Sequence, residues 1–317
     1  MNSIFENIRQ FDQIQFTPQP AEDKAWSYFN LYYLREIKDI YQLFATYPGI
    51  NNIQKLKAIC EAEGVLSENG KTWTYRNLLE IVNALHKLDL LEENHVVDTN
   101  LFNSPINASL TPKDIQVFTT LYMKYIRFVD FHALFYNITP NSKCVFYYKE
   151  QSRFYNRFIT QICEDNGSIV RIENYASEIA RFWDVYTKWG EELKVINKYP
   201  LKLFGITYPS LCKDLAIAYF LNKMPSGFSV LEYISSDFSS DYIYLPKLYW
   251  EIILKYGYSI VDINERLIEE CKQHHEKFQL QSTSAIFVTP LEAKILPKVD
   301  DKYMSHLLKI KYNETNI

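Results

Sequence analysis

Apolar positions fall mostly at helical spacing. Ile37, Ile40, Tyr41 and Phe44 stand at i, i+3, i+4 and i+7, the stripe of a helix packed on one side, which continues a first helix expected over roughly Glu22 to Leu34 and ends at Pro48-Gly49. Ile53, Leu56, Ile59 and Cys60 predict a second, shorter helix closed by Gly64. A polar turn over Ser67–Thr72 follows, with Thr72 as the expected cap of a third helix that buries Leu78, Ile81, Val82, Leu85 and Leu88. Arg76, Asn77, Glu80, Asn83 and Lys87 fall on its outer face.

Thr111-Pro112-Lys113-Asp114 combines a capping hydroxyl, a proline at the first helical position and a carboxylate at the third, which marks a strong helix start. Ile115, Phe118, Leu121, Tyr122 and Tyr125 extend one face, predicting a long helix to about Phe131. The pattern then changes. Cys144–Tyr148 is strand-like, Phe154, Phe158 and Ile162 suit a helix, and Ser168–Ile172 is strand-like again. Periodicity leaves open whether this is a small α/β unit or part of a wing. Ile179, Phe182, Trp183 and Tyr186 form another helical stripe that ends near Gly190.

In the last third, Leu211, Leu215 and Ala218 predict one helix, and Phe228 to Ile234 a short second one after Pro225-Ser226-Gly227. Pro246 begins a helix carrying Leu248, Tyr249, Ile252 and Tyr256, closed by Gly257. Ser259 with Asp262 opens another that buries Ile263, Leu267 and Cys271, and Phe278 to Val288 alternates about a polar centre like a β-hairpin.

The order helix, helix, third helix and wing over residues 36–100 resembles the winged-helix proteins. The residues that carry the resemblance are Thr74, Tyr75 and Arg76 on the third helix, and Leu85-x-x-Leu88-Asp89-Leu90-Leu91 leading to the strand-like Val96-Val97. It implies a mainly α chain with small β wings, of the α+β class, holding tandem winged-helix-like domains joined by a helical and α/β middle region. The expected domains are an arm over 1–21, a winged helix over 22–104, the middle region over 105–207 and a second winged-helix-like domain over 208–317.

Charge and composition then limit the function. The 317 residues carry a net charge of −4, so any nucleic-acid surface must be local. Residues 1–100 are acidic, with 9 Lys and Arg against 14 Asp and Glu, and the expected wing begins Glu92-Glu93 where a DNA-binding wing more often carries cations. With 25 Tyr and 20 Phe against 8 Gly, packed aromatics are favoured over glycine-rich phosphate loops. Cys60, Cys144, Cys163, Cys212 and Cys271 lie far apart and read as reduced thiols of a cytoplasmic protein. Neither a signal peptide nor a membrane span is expected.

Two stretches suit nucleic acid. The first is Lys71, Thr72, Thr74, Tyr75 and Arg76, the leading edge of a recognition helix whose hydroxyls and cations would contact phosphates or base edges. The second runs from 143 to 158, where Lys143, Lys149, Arg153 and Arg157 interleave with Tyr147, Tyr148, Phe154 and Tyr155, a chemistry suited to single strands or distorted duplexes. No catalytic motif, cofactor site or metal site is expected. Cys271 with His274-His275 lacks further ligands at zinc spacing, and Asp184, Glu191, Glu192 and Lys194 are among the candidates for a metal-dependent nuclease.

The expected function is therefore DNA binding, as a transcription regulator or as the DNA-engaging subunit of a bacterial complex such as an antiphage system. The competing expectations are a non-enzymatic adaptor that docks partner proteins and an unrecognised metal-dependent nuclease.

Overall fold

The computed structural model describes residues 31–92, 97, 101–125, 128–129, 132, 143–147, 184–205, 215–282 and 288–310. These fall into two compact units. One comprises the described residues between 31 and 132 together with 184–196, and the other comprises 143–147 with those between 197 and 310. The class is α+β, with small antiparallel sheets.

The first unit is helical. Helices α1 (Leu34–Thr46), α2 (Ile53–Ala62) and α3 (Tyr75–Lys87) pack on one another. Leu34, Ile37, Ile40 and Leu43 of α1, Leu56 of α2 and Leu78, Ile81 and Leu85 of α3 have no exposed surface, so the expected stripes are the core. The Asn52 side chain caps α2 by accepting the Lys55 N–H at 2.8 Å. Helix α4 (Pro112–Lys124) opens with a full capping box between Thr111 and Asp114. A helix over 184–192, α5, supplies Tyr186 and Trp189, which join Phe118, Tyr122 and Phe128 in one aromatic cluster.

Three expectations for this unit change. Residues 31–33 are not helical, and α1 begins at Leu34. Tertiary contacts hold that lead-in extended: Lys188 Nζ sits 3.8 Å from the Tyr33 ring centre and Trp189 Nε1 donates to the Leu31 carbonyl at 2.9 Å. Helix α4 stops at Lys124 rather than running to Phe131, because Tyr125 turns extended with its ring buried edge-on against Phe128. The third helix is capped by Thr74 rather than Thr72.

The second unit contains two sheets. In one, β3 (Leu215–Phe220) lies between β1 (Lys143–Tyr147) and β2 (Ile196–Pro200). The strand at 215–220 replaces the helix expected through Leu215 and Ala218, while Leu211 lies outside the described residues. So short an apolar run fits either period, and pairing with β1, from Lys143↔Tyr219 to Tyr147↔Leu215, decides for the strand.

After β3 the order is α6 (Val230–Asp237), β4 (Tyr242–Tyr244), α7 (Leu245–Tyr256), α8 (Ile260–Gln273), β5 (Phe278–Ser282), β6 (Lys298–Val299) and β7 (Lys302–Lys309). The second sheet runs β4-β7-β5, with β6 paired to the start of β7. Ser229 and Ser259 cap α6 and α8, and Gly257 ends α7 in the left-handed region at φ 73°, which a glycine adopts without steric cost. The apolar faces of α7 and α8, including Leu248, Ile252, Ile263 and Leu267, pack with Ile243 and Leu307 from the sheet. The hairpin expected within 278–288 is larger than its alternation suggested. Strand β5 pairs with β7, in a register from Phe278↔Lys309, and Val288 is in no strand.

Among the described residues, no helix is long and apolar enough to cross a membrane.

Candidate nucleic-acid interface

The start of α3 brings the first expected group together. Lys71, Thr72, Thr74, Tyr75 and Arg76 are all exposed, whereas Trp73 in their midst is 4% exposed. Its indole anchors the segment, so the extended residues on either side turn outward. The turn before it is rigidly made: Ser67 N–H donates to the Lys71 carbonyl at 3.0 Å, and the Lys71 N–H donates to Ser67 Oγ at 3.1 Å. The same turn is tied to α1, because the Glu68 N–H donates to Glu36 and Arg35 pairs with the Glu68 carboxylate.

Thr74 Oγ1 accepts the Asn77 N–H at 3.2 Å. This occupies one of the orphan N–H groups at the helix start, whose partial positive charge adds to that of Lys71 and Arg76. Neither cation has an ion-pair partner among the described residues. Tyr75, 48% exposed, stands beside them with Leu79 at 39%. Cations, a hydroxyl and an aromatic ring thus share one helix edge, able to grip a phosphate and lie against a sugar or base.

The second expected group lies mostly outside the described residues. Lys143 is the first residue of β1, with its backbone opposite Tyr219, and Lys149, Arg153 and Arg157 lie outside the described residues, as do most of the first wing and the strand-like 168–172. Glu92 is described and exposed.

Burial pushes the Cys60 and Cys271 thiols up to about 12, so neither is a ready thiolate. His274 and His275 are exposed and lie near Glu276, and no group of three His, Cys, Asp or Glu among the described residues is placed to hold a metal. Asp184, Glu191 and Glu192 lie along α5, with Lys194 in the left-handed turn after it at φ 56°.

Two features escaped the sequence reading. Lys38 is wholly buried on α1, where it meets Asp39 at 2.9 Å and donates to the carbonyls of Pro105 and Ala108 at 2.8 and 2.9 Å. No spacing rule marks a lysine for such a place. The second was legible: Asp262, Glu265 and Glu269 at i, i+3 and i+7 form an exposed carboxylate stripe along α8. None of the three has an ion-pair partner among the described residues.

No family model matches the chain, and neither a curated protein nor a solved structure matches it.

Proposed function

We propose that the chain is a DNA-binding protein built on winged-helix units, and that it engages DNA through the N-terminal edge of α3. The observation that carries this reading is the joint exposure of Lys71, Thr72, Thr74, Tyr75 and Arg76 at a helix start whose opposite face is core. Support for the architecture comes from residues 230–309. Their order is helix, strand, two helices and three strands, with β4 and β5 on either side of β7 and the two-residue β6 paired to the start of β7; apart from β6, this order matches that expected of a winged helix and supports the reading. The role is that of a transcription regulator or of the DNA-engaging subunit of a larger bacterial assembly.

The test is retention on duplex and single-stranded DNA as a function of salt. Binding at low salt that weakens steeply as salt rises, and that is lost with Arg76→Glu and Lys71→Glu, supports the reading. Absence of retention on either form at low salt overturns it.

A second reading, an adaptor that docks proteins, is favoured by one observation. Helix α8 holds the place of a recognition helix in the 230–309 unit, yet its exposed stripe is acidic. Such a stripe repels phosphates.

A further inference from the structure

The acidic stripe of α8 borders an apolar groove. The groove is about 270 Å³; its apolar lining is Ile268 and Cys271 of α8, Phe278 and Leu280 of β5 and Val299 of β6, and Lys272, His275 and Gln279 also line it. Ile268 and Lys272 belong both to this lining and to the flank of the helix that turns, one step around, into Asp262, Glu265 and Glu269. Val261, at the head of that flank, is 59% exposed, the largest exposure among the big apolar side chains of the described residues. Over Ile260–Glu276 the sequence has five carboxylates against two cations, Arg266 and Lys272. Arg266 is engaged at 2.7 Å with the Ser226 carbonyl, which leaves the carboxylates dominant on the exposed face.

We infer that this face docks a cationic amphipathic segment of a partner protein. Apolar side chains of the segment would cover Ile268, Phe278, Leu280 and Val299, while its Lys or Arg side chains pair with Asp262, Glu265 and Glu269. Charge complementarity selects this occupant. Nucleic acid would bring phosphates against three unpaired carboxylates, and an acidic or purely apolar segment would leave those carboxylates facing like charge or desolvated without partners. An amphipathic helix laid in a groove is a recurring mode of peptide recognition. The site lies wholly within the second unit and does not depend on DNA binding at α3, so either reading can fail alone.

The experiment uses the full chain and a fluorescent Leu/Lys amphipathic peptide, with a Leu/Glu peptide of the same pattern as control, read by anisotropy. The Leu/Lys peptide should bind and the control should not. Combined Asp262→Asn, Glu265→Gln and Glu269→Gln changes should weaken binding by roughly tenfold, the sum of three modest rim pairs. Neutralising Glu80 and Glu92 should leave it unchanged. Ile268→Ser should weaken it independently, because it removes the apolar floor. Neutralising the stripe relieves like-charge repulsion at helical spacing but removes Asp262 from the first turn of α8, two opposed effects, so a cooperative melt near that of the parent chain certifies each variant as folded. Equal binding of both peptides, binding by the triple variant at full strength, or indifference to Ile268→Ser would each overturn the inference.

Discussion

Lys38 Nζ lies 2.9 Å from Asp39 Oδ1, and neither side chain has any exposed surface. The pair joins α1 to the 104–108 segment: Lys38 donates to Ser104, Pro105 and Ala108, and Asp39 accepts the Asn107 N–H at 3.1 Å. Removing Lys38 strands the Pro105 and Ala108 carbonyls and leaves the buried Asp39 carboxylate with Arg35, at 2.9 Å, as its one remaining ion-pair partner among the described residues. Lys38→Ala should therefore cost about 3–5 kcal/mol in denaturant unfolding. The double change Lys38→Met with Asp39→Leu should recover part of that loss. A single-variant cost under about 1 kcal/mol would show that the segment relaxes around the vacancy.

His132 gives the helical unit a pH dependence. It is 5% exposed, with Nδ1 2.8 Å from the Tyr186 hydroxyl and Nε2 3.3 Å from the Tyr122 carbonyl, contacts that suit the neutral ring with Nε2 protonated. Burial pulls its pKa down to about 4, against the hydrogen bond to Tyr122 that favours the charged form. The unfolded chain then binds the proton more tightly. The histidine's contribution is complete above the ordinary value of 6.5 and is lost as pH falls from there to about 4, by up to roughly 3 kcal/mol. His132→Phe should flatten this part of the stability profile. The same slope in both proteins would refute the assignment.

Gly190 is required by packing. A Cβ there would stand 2.7 Å from Tyr122 Oη and 3.0 Å from Ile196 Cβ. The tyrosine cannot easily withdraw, since it donates to the Tyr186 carbonyl at 3.1 Å and stacks on the Tyr186 ring. Gly190→Ala should cost about 1–3 kcal/mol. Tyr122→Phe, which removes the hydroxyl, should couple to it, so that the double variant is more stable than the two single losses added. Strict additivity would place the strain elsewhere.

Thr72 and Thr74 separate folding from binding. Thr74→Ala removes the cap of α3 and should cost about 0.5–2 kcal/mol, whereas Thr72→Ala should leave the melting curve unchanged. On DNA, Thr72→Ala and Arg76→Ala should weaken retention without loss of fold, and Arg76→Ala should reduce the salt slope by about 1, one phosphate contact. Stability loss in Thr72→Ala would return the cap to that residue. An unchanged salt slope in Arg76→Ala would remove Arg76 from the interface.

Local pattern decided much of this molecule. The stripes of α1, α2, α3, α7 and α8, the capping box at Thr111 and Asp114 and the stop at Gly257 were legible because each rests on residues within a turn or two of one another. The exposed edge from Lys71 to Arg76 was legible for the same reason: it is the polar complement of a helix stripe. Features set by distant residues were not. Whether Leu215–Phe220 became strand or helix depended on β1, some 70 residues earlier in the chain. The partner of β5 was β7, some 25 residues further along the chain, and the extended state of 31–33 depended on Lys188 and Trp189. Short apolar runs satisfy two periods at once, and a lysine such as Lys38 carries no mark of burial until acceptors from elsewhere surround it. Sequence by itself determined α1, α2, α3, α7 and α8 and the faces they bury, because propensity, capping and periodicity act locally. Tertiary structure alone decided the strand partners, the buried charge pair and the groove beside the acidic stripe, because each needs groups that only the folded chain brings within hydrogen-bonding or van der Waals reach.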